Sequence, residues 1–269
     1  MRTIVHLSDL HFGRVDSALP APLQRAVHAL RPDVVVVSGD LTQRARRAQF
    51  AAARDFLAQL PSPRIVVPGN HDVPLYDVAR RFLAPLARFR HYIEADPAPW
   101  FADEEIAVLG INSARSLTFK GGRINREQVA LVRQRFASVP ATVMRVLVTH
   151  HPFALPEHAD ASDRIGRAAM ALDAFAECGV DILLSGHLHR IHMAGAEAIG
   201  GHGALSLHAG TATSTRGRGE ANSFNAIVIE PGRLRVDAWH WDAARAAFVL
   251  QPPRRFVRAA AGWREDISA

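Results

Sequence analysis

The sequence predicts an α/β (α+β) fold, a four-layer αββα sandwich of two mixed sheets with helices outside. Three observations predict it. Strand-like and helical runs alternate through the first half of the 269 residues. VVVVS at 34 to 38 is a continuous β-branched run, the mark of a strand buried on both faces. The last third is rich in strands separated by Gly and polar turns. Parallel units first and antiparallel strands last give two packed sheets whose outer faces are covered by helices.

In chain order, RTIVHLS is a strand ending at Asp9, and residues 19 to 30 read as a helix. After VVVVS, ARRAQFAAARDFLAQL at 45 to 60 is an Ala-rich helix with apolar spacing. RIVVP is the next strand, and residues 76 to 89 the next helix. Past Pro97 the pattern shifts: WFADEEIAVLGIN reads as a hairpin with Asp103-Glu104-Glu105 near its turn. A helix near 125 to 137, the strand VMRVLVTH, a helix near 165 to 178 and the strand DILLSGH follow. Strands are then predicted at 190 to 199, 203 to 210, 223 to 230, 233 to 241 and 246 to 250. There is no internal repeat. One domain is expected over residues 1–250, with an Arg-rich C-terminal tail over 251–269.

Composition narrows the function classes. Hydrophobic residues at 48% supply a sizeable core, and 22% charged residues argue against wholesale disorder. The apolar stretch of the N-terminus is too short for a signal peptide and is interrupted by Thr3, His6, Ser8 and Asp9. No stretch is apolar enough to span a bilayer, and Cys178 is the only cysteine, so a cytoplasmic protein with no transmembrane segment and no intrachain disulfide is expected. The net charge is +6, and Lys120 is the only lysine. Arginine suits phosphate recognition, though a general preference for Arg over Lys explains the surplus more simply. No basic stripe interleaved with aromatics exists, so no stable nucleic-acid binding is expected. Association as a homodimer is left open.

Five short segments hold His, Asp or Asn at or just after a strand end: Asp9-Leu10-His11, Gly39-Asp40, Gly69-Asn70-His71-Asp72, His150-His151-Pro152 and Gly186-His187-Leu188-His189. One such segment is ordinarily a turn or a surface pair. Five together converge, because ligands in parallel α/β units collect at the carboxyl ends of strands. Imidazole and carboxylate suit Zn, Fe and Mn, and the lack of thiolates argues against a structural zinc site. The two-residue spacing of Asp9 and His11, and of His187 and His189, puts each pair on one face of a strand, or a turn aims them together. Gly39, Gly69 and Gly186 leave room for close backbone approach. Asp9, His11, Asp40, Asn70, His150, His187 and His189 are too many for one ion and suit two sharing a carboxylate; Asp40 is the natural bridge, with one oxygen for each.

The pattern D-x-H, GD, GNHD, H-H-P and GHLH resembles the calcineurin-like metallophosphoesterase superfamily, in family order from residue 9 to 189. Within it the chain looks most like bacterial cyclic-nucleotide and glycerophosphodiester phosphodiesterases. The resemblance implies a binuclear phosphohydrolase with two divalent or trivalent ions, Mn or Fe ahead of Zn. One ion would take Asp9, His11, His189 and the bridging Asp40; the other Asn70, His150, His187 and Asp40. A bridging water or hydroxide would attack a small phosphate-ester substrate, and His71 would stabilise the transition state or protonate the leaving oxygen. GDLTQRA has Gln43 where the superfamily's protein phosphatases carry a second Asp, which speaks against that activity, while Arg44 matches their Arg. Asn112 and Arg44 are candidates for substrate contact, turn capping being the simpler role for Asn112. His151 reads as a neighbour of ligands rather than a ligand. The loop at 211 to 220 carries Arg216 and Arg218, within reach of a phosphate or mobile at the surface. The leading expectation is a phosphodiesterase on small diesters such as 3',5'-cyclic nucleotides. The alternative is a pyrophosphatase or phosphomonoesterase acting on a nucleotide-sugar lipid precursor. Such an enzyme should expose apolar surface at its mouth, where the Phe82/Leu83/Leu86 stripe and FALP read more simply as core.

Overall fold

β1 (Arg2–Leu7), β2 (Val34–Val37) and β3 (Arg64–Val66) lie side by side and parallel. β2 shows why the valine run folds as it does. Val34 and Val36 join the apolar layer between the two sheets, while Val35 and Val37 point to the helices on the outer face. The period-2 alternation of a strand thus buries both faces at once. The computed structural model describes residues 1–157, 159–195, 201–216 and 219–267.

The first sheet continues from β1 into antiparallel strands: β10 (Ser223–Glu230), β11 (Arg233–Asp242), β13 (Arg254–Ala259) and β14 (Gly262–Glu265), with β12 (Ala247–Leu250) also on β11. The second sheet has the order β4 (Trp100–Ala102), β5 (Ile106–Gly110), β6 (Met144–Val148), β7 (Ile182–Ser185), β9 (Leu205–His208), β8 (His192–Ala194). Its centre is parallel and its edge pairs β4–β5 and β8–β9 are antiparallel, so both sheets are mixed.

Three apolar layers hold the sandwich together. Ile4, Ile65, Val108, Val146, Ile182 and Leu205 pack between the sheets. α1 (Pro20–Leu30), α2 (Arg47–Leu57) and α4 (Ala87–Tyr92) cover the first sheet through Leu23, Val27, Phe50, Phe56 and Phe89. α5 (Arg126–Ala137) and α6 (Ala168–Glu177) cover the second through Val132, Phe136, Leu172 and Phe175. Asn125 starts α5 with its side chain accepting from the Gln128 N–H at 2.9 Å. No helix among the described residues is long and apolar enough to cross a membrane.

The structure departs from the sequence reading in three places. The helix expected over 76 to 89 is two: α3 (Val78–Leu83) and α4, parted at Ala84-Pro85, because proline disfavours helical backbone in the residue before it. The break leaves Phe82 54% and Leu83 85% exposed, so neither is core; Leu86 packs partly against the first sheet's helices. The segment expected as an Arg-rich tail is the β13–β14 hairpin, whose Phe256 and Trp263 reach into the layer between the sheets. The strand expected over 190 to 199 is described as β8 alone, since residues 196–200 lie outside the described residues.

Candidate metal centre

The candidate ligands come from loops at the carboxyl ends of strands in both sheets. β1 ends at Leu7 and β7 at Ser185, so Asp9, His11, His187 and His189 all lie just beyond a strand rather than on one. A turn aims each pair. Asp9 (φ 54), His11 (φ 50), Asp40 (φ 53), His187 (φ 72) and His189 (φ 60) are all left-handed, a backbone state that costs an L-residue about 1–2 kcal/mol. The Asp9 N–H donates to Gly39 O at 3.0 Å and the His11 N–H to Asp40 O at 2.9 Å, so the first two loops brace each other. Thr211 Oγ1 donates to Asp9 O at 2.7 Å, tying a third loop to them.

Asp9, His11, Asp40 and His189 form one buried cluster whose ligand atoms all lie within 4.8 Å of one another. Asp9 Oδ1 is 3.2 Å from His189 Nε2 and 3.5 Å from His11 Nε2. Asp40 Oδ2 is 3.7 Å from His11 Nε2. Asp9's other oxygen is committed, accepting from Ser8 Oγ at 2.7 Å and the His187 N–H at 3.0 Å. His189 Nδ1 lies 3.0 Å from Arg216 O, which turns its Nε2 inward.

A second cluster holds His150, His151 and His187. His150 Nδ1 donates to Ser38 O at 2.7 Å, leaving Nε2 3.4 Å from Asp40 Oδ1 and 3.2 Å from Asn70 Oδ1. His151 is differently engaged: Nε2 donates to Lys120 O at 2.9 Å and Nδ1 meets Ser113 Oγ at 2.8 Å. With both ring nitrogens taken, His151 has none to offer, whereas Asn70 faces His150 directly.

A profile of the calcineurin-like phosphoesterase family matches residues 2–190. The chain belongs to that family. It is 27% identical over 260 residues to a cAMP/cGMP dual specificity phosphodiesterase of Mycobacterium tuberculosis, covering 85% of this chain and 76% of that protein. Against a glycerophosphodiester phosphodiesterase of Enterobacter lignolyticus the identity is 38% over 80 residues, 26% of this chain and only 29% of the relative. Both names match the branch of the family that the motifs resemble. In fold, the chain is similar to a dimetal phosphatase of Danio rerio, with TM-score 0.63, 14% identity and coverage of 93% and 98%.

The donor set fits two ions. Asp9 Oδ1 is buried with no hydrogen-bond partner among the described residues, an orphan that a cation would satisfy. The charges respond to the crowding. Burial raises the Asp9 and Asp40 carboxyls, yet the neighbouring histidines, His189 for Asp9 and His150 for Asp40, hold both well below the usual carboxylate range. Burial lowers His150, but the charge of Asp40 and its hydrogen bond prevail and push it up to about 9. Near neutral pH His150 therefore carries a proton that a metal bound there would have to displace. Loading chelated protein with Zn in weak buffer is expected to release that proton, seen as a pH drop with an indicator. The release should shrink as the pH rises through about 9, where His150 is already deprotonated.

His71 stands at the mouth. Its N–H donates to Asp40 Oδ1 at 2.8 Å, its Nδ1 donates to Gln43 O at 2.9 Å, and its Nε2 is 2.9 Å from Arg216 Nη1 and 4.0 Å from Asp40 Oδ2. Burial and the nearby His11 and Arg216 outweigh Asp40 and lower its proton affinity, so the ring is neutral at neutral pH. Arg44 Nη1 lies 3.3 Å from His71 Nδ1 and donates to Gln43 O at 3.0 Å, behind the ring. Asn112 turns away: its Oδ1 accepts from the Ala114 N–H at 2.9 Å, capping its own turn. Arg218 lies outside the described residues.

Three supports escaped the sequence reading. Asp72 accepts from the Gly69, Leu41 and Thr42 N–H groups at 2.9, 3.1 and 2.8 Å, stapling the Asp40 loop to the Asn70 loop. Its place within GNHD was the available signal. Buried Arg81 donates to Ser116 O, Thr118 O and Pro74 O at 2.7, 2.7 and 2.9 Å, fixing the loop over Asn70. Asp163 lies 3.3 Å from His187 Nε2 and carries no motif of its own.

Proposed function

We propose that this chain is a two-metal phosphodiesterase for small phosphodiesters, 3',5'-cyclic nucleotides first among them. The observation that carries the proposal is the position of Asp40. Its Oδ2 faces His11 at 3.7 Å and its Oδ1 faces His150 at 3.4 Å, one oxygen toward each donor cluster. Asp9, His11, His189 and Asp40 would hold one ion; Asn70, His150, His187 and Asp40 the other. Once bound, two such cations supply an acidified water as nucleophile and neutralise charge on the phosphoryl oxygens.

The chain's own side chains do the rest. Arg216, whose guanidinium already meets His71 Nε2, offers planar donors to a phosphoryl oxygen. Gln43 O holds the His71 Nδ1–H, so a proton drawn from solvent would enter at Nε2, once Arg216 swings from that nitrogen to the phosphoryl oxygen, and would pass from there to the leaving oxygen. His71→Ala is expected to keep both metals yet lose rate by roughly 10²–10⁴-fold, the usual share of general acid catalysis. Metal analysis beside initial rates checks this; metal loss would make His71 a ligand instead.

A second reading has one observation in its favour. Tyr76, Val78, Phe82, Leu83, Leu117 and Phe119 are exposed on two segments that Arg81 joins, and Phe119 O accepts from Asn70 Nδ2 at 3.4 Å. Apolar surface beside the mouth suits a lipid-linked phosphate ester. One substrate panel separates the readings. Chelated protein reloaded with Mn, Fe or Zn is given a bis-aryl phosphate, an aryl monophosphate, cyclic AMP and a nucleotide-sugar diphosphate with and without an acyl chain. The diesters should be preferred. Preference for the aryl monophosphate would overturn the diesterase reading, and turnover only of the acylated diphosphate would install the lipid reading.

A further inference from the structure

A histidine that binds a metal must present one ring nitrogen, so whatever holds the other nitrogen decides which one faces the ion. His150 and His189 are oriented by backbone carbonyls, Ser38 O and Arg216 O, each meeting Nδ1 and leaving Nε2 to point inward. His11 Nδ1 has no hydrogen-bond partner among the described residues, and His187 is held differently again. A carboxylate meets it, and at the opposite nitrogen: Asp163 Oδ1 lies 3.3 Å from His187 Nε2. His187 thereby keeps Nδ1 for the cluster it shares with His150.

Asp163 is itself held. It ends a single 3-10 turn, Ala161–Asp163, opened by Asp160, whose side chain accepts from the Ser162 N–H at 2.8 Å. The same Oδ1 that meets His187 also receives Lys120 Nζ at 2.7 Å. Both Asp163 and His187 are almost fully buried, so this is not a solvated surface pair whose worth would be close to nothing. Lys120 is bound into the site a second way, because its carbonyl accepts the His151 Nε2–H at 2.9 Å, and the His151 ring packs on that of His187 with centroids 4.7 Å apart. The chain's single lysine thus joins the ligand's carboxylate and the ligand's packing neighbour.

We propose that Asp163, held by Lys120, is a positioning residue for the second metal site: it fixes the His187 ring with Nδ1 toward the ion and so sets that site's affinity. The proposal rests on the two-metal reading above. The first site draws its orientation from Ser8, the His187 backbone N–H, the Arg216 carbonyl and the interlocked loops, none of which involves the Asp163 side chain or the His187 ring. The effect is therefore confined to one ion of the two.

The test is metal binding, read without turnover. The chelated full-length chain and its Asp163→Ala, Asp163→Asn, Lys120→Ala and Lys120→Arg variants are titrated with Zn by calorimetry, with bound metal counted after gel filtration. The unsubstituted chain is expected to bind two ions. In Asp163→Ala one of them is expected to weaken by roughly 10–100-fold, the usual cost of losing such an outer partner, while the other is unchanged. Asp163→Asn, which keeps an oxygen acceptor for His187, should recover part of the loss. Lys120→Ala should show a smaller loss than Asp163→Ala, and Lys120→Arg should restore it. Two unchanged affinities in Asp163→Ala, or an equal weakening of both ions, would overturn the proposal while leaving the two-metal reading intact. Uptake of a single ion by the unsubstituted chain would overturn that reading, and this proposal with it.

Discussion

Asp40→Ala is expected to abolish turnover while the protein stays folded. Asp40 is buried in the left-handed region, with one carboxylate oxygen toward each cluster and its Oδ1 also accepting the His71 N–H at 2.8 Å. Losing it removes the carboxylate that faces both clusters, together with the counter-charge of His150. Metal-derived charge stabilisation amounts to several kcal/mol, and each 1.4 kcal/mol or so is tenfold in rate, so a fall on the order of 10³-fold or more is expected. The fold should survive, because losing the hydrogen bond to the His71 N–H and one partner of the buried pair with His150 costs about 3–5 kcal/mol, less than the roughly 5–15 kcal/mol that holds a typical domain folded. Initial rates on the reloaded protein, bound-metal counts and circular dichroism check the three parts. Full activity would contradict Asp40 as the bridge.

Gly186→Ala is the second large effect, and it acts through space alone. A methyl group there would overlap Ser8 Oγ outright and stand 2.6 Å from Asp9 Oδ2. Those two atoms are hydrogen-bonded to each other at 2.7 Å, and Asp9 Oδ2 also accepts the His187 N–H at 3.0 Å. Nothing soft yields, so Asp9 is driven out of the first cluster. Overpacking of this kind costs about 1–3 kcal/mol or more, which in a chain of this size lowers the melting temperature by roughly 2–4 °C per kcal/mol. The signature is a lower melt together with the loss of most of the further gain on adding metal. A variant that melted like the parent and bound metal normally would show that the loop has slack.

The candidate site was legible in its residue types. Asp9, His11, Asp40, Asn70, His150, His187 and His189 are residue types with few reasons to cluster at strand ends, and the structure brings their side chains to one rim. The layers were legible too, because Val34 to Val37 must alternate between two cores. What escaped was support without periodicity. Asp163, Lys120 and Arg81 lie in loops, where a polar residue looks like any solvated one until its partner's position is known. The β13–β14 hairpin escaped for another reason. Its arginines dominated the composition, while the two residues that bury it, Phe256 and Trp263, are spaced across a turn rather than along a strand. Phe82 and Leu83 were misplaced by a helix that Pro85 does not allow.

Asp9, His11, Asp40 and Asn70 follow β1, β2 and β3 of one sheet, and His150, His187 and His189 follow β6 and β7 of the other. Between them lies a seam of apolar side chains, from Ile4 and Val36 to Phe256 and Trp263, whose attraction is non-directional. Cations gripped from both sides would act as a clasp on that seam, locking the two halves in register at one end only. Metal uptake should then slow amide exchange even at the starts of β2 and β6, around Val34 and Met144, and a cavity cut into the seam at Val108 or Ile182 should loosen the clasp without touching it.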